Sequence, residues 1–191
     1  ERRPGDPVVA CDEESDFPAL WRGMLGGAGQ PWVHESVSTT FQKLAALGYR
    51  PLYLTARPEP LAPHTRDFLR ADKRGDARGD LPNGVVHTTL GLTGAINSAA
   101  EAFKKNELDM LAKKGFRPTF GFGNRKSDVA TYTAYGVPYG YLFENSDTAL
   151  RHCSQIADLP LAPSRLDKGM FRIQSYATAG TLVGKTSPVC R

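Results

Sequence analysis

The chain has 191 residues, 40% hydrophobic and 23% charged, which suits one well-buried α/β domain and excludes a pair of ordinary domains, a disordered chain or a fibrous repeat. Its formal charge of +4 and pI of about 9.0 favour phosphate-bearing ligands or an anionic membrane surface; with no recognised nucleic-acid motif beside them, they do not indicate nucleic acid. No apolar run has the length of a membrane-spanning helix, so no transmembrane segment is expected.

In chain order, Val8-Val9-Ala10-Cys11 reads as a buried strand that delivers Asp12-Glu13-Glu14-Ser15-Asp16 at its carboxyl end. The same acidic run also reads as a loop in which Ser15 or Asp16 caps a helix beginning near Pro18. Gly26-Gly27-Ala28-Gly29 lacks the strand and helix context of a phosphate loop and is read as a connection. From Glu35, the apolar positions Val37, Phe41, Leu44, Ala45 and Leu47 recur at helical spacing until Gly48. Leu52-Tyr53-Leu54 follows as a strand ending in Thr55-Ala56-Arg57-Pro58. Strand, helix and strand in this order make a βαβ unit, so Thr55 is expected on the same sheet edge as Asp12. Its hydroxyl either caps the next helix or, with Arg57 nearby, suits a phosphoryl group.

A helix through Thr65 to Arg70 gives way to a charged, glycine-punctuated loop from Ala71 to Asp80, read as a solvated insertion. Val85-Val86-His87 is the next strand, and no partner marks His87 as a base. Asn97 to Lys114 is the longest helical pattern, with Lys104 and Lys105 near its middle. A lysine there is a solvated charge, or, if it points at the sheet edge, a phosphate holder. Thr119 to Phe122 is read as a strand opening into Gly121-Phe122-Gly123-Asn124-Arg125-Lys126-Ser127-Asp128, then a helix to Tyr135, then a strand at Tyr139-Gly140-Tyr141-Leu142-Phe143. Asn124 and Asp128, four apart across the turn, either share a hard cation such as magnesium or act as helix cap and dipole partner. Beyond Asp147 the pattern weakens to one helical piece around Cys153, a proline-rich loop and a strand at Phe171-Arg172-Ile173.

The chain opens at Glu1 with neither Met nor signal peptide, which reads as a processed chain or an excised piece. Cys11, Cys153 and Cys190 fit no metal spacing. In an exported chain, Cys153 and Cys190 could be stapled as a disulfide, an extracytoplasmic or secreted location that would suit a subunit of an envelope assembly; in a reducing compartment all three are thiols.

Taken together, Tyr53 to Pro58, Leu81-Pro82-Asn83-Gly84, Phe103-Lys104 and Gly121 to Asp128 resemble the lipin-type phosphatase domain. That domain is shared by lipin phosphatidate phosphatases and the Nir/RdgB phosphatidylinositol transfer proteins, within the haloacid dehalogenase-like superfamily. The resemblance runs from about Val8 to Phe143, and Gly136-Val137-Pro138 also fits it. It implies a Rossmann-like three-layer α/β sandwich with a mainly parallel central sheet. A single domain over 1–191 is expected, its core at about 8–147 and its extension at about 148–191.

The chemistry the resemblance implies is magnesium-dependent phosphoryl transfer through an aspartyl-phosphate. Asp12 would be the nucleophile, Thr55 and Lys104 would bind phosphate, and Asp12, Asn124 and Asp128 would hold the metal. The family pattern Asp-x-Asp-Gly-Thr is broken here: read without a gap, Glu14 replaces the acid/base Asp and the Gly and Thr are lost; read with Glu14-Ser15-Asp16-Phe17-Pro18 aligned to the family's later acidic segment, the catalytic turn is deleted and only Asp12 remains. This implies a non-catalytic binding or assembly module with weak or lost magnesium, its ligand a phosphate-bearing lipid or small molecule and its partner another protein. The alternative is an active magnesium phosphatase for phosphatidate or another phosphomonoester, with Asp12 as nucleophile and Glu14 as acid/base.

Overall fold

Alternating large and small residues on the strand at Phe120–Gly123 leave one of its faces open to close approach by the following helix. The computed structural model describes residues 36–69, 81–90, 97–144, 156, 158–163 and 167–183. Asp12, Glu14, the three cysteines, the 26–29 glycines and the 71–80 insertion all lie outside the described residues.

The elements run α1 (Val37–Ala46), β1 (Leu52–Pro58), a 3₁₀ turn at Glu59–Leu61, α2 (Ala62–Phe68), β2 (Val85–Thr89) and α3 (Asn97–Lys113). They continue with β3 (Phe120–Gly123), α4 (Lys126–Ala134), β4 (Tyr139–Phe143), β5 (Ala162–Pro163), β6 (Gly169–Ile173) and α5 (Tyr176–Val183). Strands β1 and β2 pair in one sheet, and β3, β4, β6 and β5 pair in that order in another; every pairing is parallel. The expected parallel α/β class is therefore present. Phe41 of α1 lies against both sheets, its ring centroid 6.4 Å from that of Tyr53 on β1 and 4.9 Å from that of Phe122 on β3.

Strand β3 reads Phe-Gly-Phe-Gly, and the period of two puts its phenylalanines and glycines on opposite faces. Phe120 packs on Tyr49 and Tyr139, and Phe122 on Tyr141 and Tyr176. On the other face a Cβ at Gly121 would stand 2.7 Å from the Tyr132 ring of α4, so the helix can approach only because the side chain is absent. The tyrosine locks that approach by donating its hydroxyl to the Phe122 carbonyl at 2.6 Å.

Leu44, Tyr141, Phe143, Phe171, Ile173, Ala179 and Val183 form the core on the aromatic face. Four of these come from β6 and α5, beyond residue 148. Helix α5, which the sequence pattern did not suggest, is eight residues long and would not persist alone. It is held by burial of Ala179 and Val183 and by the Thr40 hydroxyl, which donates to the Tyr176 carbonyl at 2.7 Å.

Candidate functional site

In open parallel α/β folds ligands bind outside the carboxyl ends of the strands. Thr55 is buried near the end of β1, at the place where the β1–β2 register becomes irregular between Leu54 and Pro58. Its hydroxyl accepts the Arg57 backbone N–H at 3.3 Å, and the Arg57 guanidinium reaches the Thr65 hydroxyl at 3.5 Å. The turn after β1 is thus tied to α2 by its own polar side chains.

Lys104, on α3, is buried and its ammonium donates to Asp128 Oδ1 at 2.7 Å. Asp128 Oδ2 accepts the backbone N–H of Asn124 at 3.1 Å and of Arg125 at 3.0 Å. The carboxylate therefore caps the first turn of α4 while neutralising a buried lysine. Both charges need each other, because an ion taken from water without a partner costs several kcal/mol. Gly123 makes the arrangement possible: a Cβ there would run into the Asp128 carboxylate.

Of the residues expected at the site, Thr55 stands near the carboxyl end of β1, Asn124 and Asp128 follow the carboxyl end of β3, and Lys104 joins Asp128. Asp12 and Glu14 lie outside the described residues. His87 bonds through Nδ1 to Glu107, pinning β2 to α3. Two charged residues the sequence reading passed over also belong to the turn after β3. Lys126, the first residue of α4, pairs with Asp158 at 2.7 Å, and a buried Nη2 of Arg125 has no hydrogen-bond partner among the described residues. Only a structure could supply the Lys126 partner, which lies 32 positions away.

Magnesium demands an octahedral shell of oxygens. Among the described residues, no group of three His, Cys, Asp or Glu side chains could hold a metal ion. Asp128 accepts hydrogen bonds on both oxygens, one on Oδ1 and two on Oδ2, and with Asn124 it supplies only part of an octahedral shell. The described donors do not fit the ion by themselves.

Parallel strands alternating with helices, a threonine near the carboxyl end of β1, and a Gly-Asn turn with a buried lysine–aspartate pair beyond the carboxyl end of β3 mark a phosphatase-like domain of the haloacid dehalogenase-like class. The LNS2 (Lipin/Ned1/Smp2) family pattern matches residues 19–158, and the chain belongs to that family. It is 32% identical over 142 residues to phosphatidic acid phosphohydrolase 1 of Saccharomyces cerevisiae, covering 63% of this chain and 16% of the relative. It is 34% identical over 125 residues to phosphatidate phosphatase PAH1 of Arabidopsis thaliana, covering 60% and 14%. Nuclear elongation and deformation protein 1 of Schizosaccharomyces pombe is 30% identical over 153 residues, covering 72% and 23%. The chain thus spans less than a quarter of the length of these relatives. No described helix is long and apolar enough to cross a membrane.

Proposed function

We propose that this lipin-type domain binds a phosphomonoester, foremost the phosphate of phosphatidate, at the carboxyl edge of its sheet, and works as a binding or assembly module without turnover. The observation that carries this reading is the buried Lys104–Asp128 pair, held at 2.7 Å just beyond the carboxyl end of β3, with Thr55 buried near the carboxyl end of β1. A lysine held in place by a capped carboxylate is a pre-positioned N–H donor for an oxyanion, although the carboxylate offsets part of its charge. Thr55 adds a hydroxyl, and Asn124 an amide.

The departure at Asp12-Glu13-Glu14-Ser15-Asp16 supports loss of turnover. Glu14 carries one methylene more than the family's acid/base Asp, and a misplacement of about 1 Å can cost on the order of a hundredfold in rate. Asp12 would remain as an anionic neighbour of Lys104 and Asn124. With Asp128 committed to Lys104, magnesium would be held weakly, through Asn124 and Asp12. Phosphate affinity is therefore expected to be the same with magnesium and with a chelator.

The second reading, an active phosphatase with Asp12 as nucleophile and Glu14 as acid/base, is favoured by the names of the relatives, which include phosphatidate phosphatases. Flotation with phosphatidylcholine vesicles, with and without phosphatidate, tests the binding claim. Capture that requires phosphatidate and weakens in Thr55→Val is expected; equal capture by both vesicles would remove the claim.

A further inference from the structure

Among the described contacts at this edge, the Lys126–Asp158 pair is one that the fold does not need. The turn carrying Asp158 is already fastened. Ile156 is fully buried, the Leu159 N–H returns to the Ile156 carbonyl at 3.0 Å, and Arg172 Nη2 donates to the carbonyls of Leu159 at 2.8 Å and Ile156 at 3.4 Å. Arg172 is itself fixed by the buried carboxylate of Glu144, 3.2 Å from Nη1. By contrast, the Lys126 and Asp158 side chains are 54% and 69% exposed. An exposed ion pair adds little to stability, so this one can open without disturbing the turn.

Lys126 opens α4, two residues from Asp128 and two from Asn124, and so stands at the rim of the turn where Asp128 holds Lys104. Its ammonium is a mobile point charge on a flexible stem, suited to meeting an oxyanion at variable distance. Resting on Asp158, that charge is cancelled. We propose that Lys126 is an anion-recruiting residue for this site and that Asp158 is a built-in competitor, which an incoming phosphomonoester must displace to gain the lysine. The proposal rests on the phosphate-binding reading above and names how that site is regulated.

The competition is one of charge and not of protonation. The hydrogen bond from Lys126 holds the Asp158 carboxyl below its usual range. A lowered carboxyl pKa keeps the pair intact above the unfolded value and lets it go only as pH falls through the folded one. At neutral pH, release therefore needs a competing anion, and high salt also weakens the pair by screening.

The test is a double-mutant cycle on the full chain, with Lys126→Ala, Asp158→Asn and the double variant. Two probes are used: inorganic phosphate by calorimetry, and phosphatidate in phosphatidylcholine vesicles by flotation. Asp158→Asn is expected to tighten binding about two- to fivefold, the scale of one exposed ion pair. Lys126→Ala weakens it, and in that background Asp158→Asn has no further effect. A response to both probes assigns the lysine to the phosphate group, and a response to vesicles alone assigns it to the lipid surface around the headgroup; either supports recruitment. Both variants weakening binding together, with lowered melting temperatures, would show a structural staple and overturn the proposal. So would an Asp158→Asn gain that persists without Lys126. Binding by the wild type with no change in Asp158→Asn sinks this proposal alone, whereas a wild type that binds neither probe sinks the phosphate-binding reading with it.

Discussion

Among single residues, Asp128 organises the site through what it does with its two oxygens. One neutralises Lys104 and the other caps α4 through two backbone N–H groups. The spacing of Asn124 and Asp128 made a cation site, or a cap by Asn124 with Asp128 as dipole partner, readable in the sequence; in the structure the capping side chain is Asp128, and Arg125 is the N-cap residue. The partnership with Lys104 was not legible from spacing, because it joins α3 to α4 across 24 positions. The family resemblance gave Lys104 to the phosphate and Asp128 to the metal, without pairing them. Breaking a buried pair on one side strands the other charge, so Lys104→Met is expected to cost about 3–5 kcal/mol of stability. Adding Asp128→Asn should return part of that loss, because the stranded charge is then gone. Denaturant unfolding of the single and double variants checks this; a double variant worse than the single would mean that the pair is not the source of the cost.

The elements divide by how much of their stability is local. Strands β3 and β4 announce themselves by aromatic–glycine alternation, and α3 by its long apolar stripe; these were legible. Helix α5 was not, since Tyr-Ala-Thr-Ala-Gly-Thr-Leu-Val contains a glycine, two threonines and a valine, all weak helix formers. Tertiary packing makes it a helix, and its tightest point is Gly180, where a Cβ would stand 2.7 Å from the Thr40 hydroxyl oxygen. That hydroxyl is tied to the Tyr176 carbonyl and cannot easily yield. Two effects compete in Gly180→Ala: a helix-propensity gain of about 1 kcal/mol, and an overpacking cost of about 1–3 kcal/mol. The bound Thr40 makes the cost win, so the variant should melt lower, and combining it with Thr40→Ala should relieve part of the loss. A variant that melts higher than wild type would show that α1 and α5 can slide apart.

The parallel α/β class followed from the order of apolar runs alone, because a strand–helix–strand sequence leaves few topologies open. The contribution of residues beyond 148 to the core was less evident, since β6 and α5 take their identity from Leu44, Tyr141 and Phe143, distant in sequence. For the molecule as a whole, the decisive proposition is that a lipin-family fold presents its phosphate-binding edge without turning substrate over. Phosphate release from phosphatidate vesicles, with magnesium present and the protein saturated with lipid, addresses it head-on. Saturable binding is expected, with a release rate no greater than that of vesicles alone. Release that rises with protein concentration and vanishes in Asp12→Asn would refute the proposition and establish turnover.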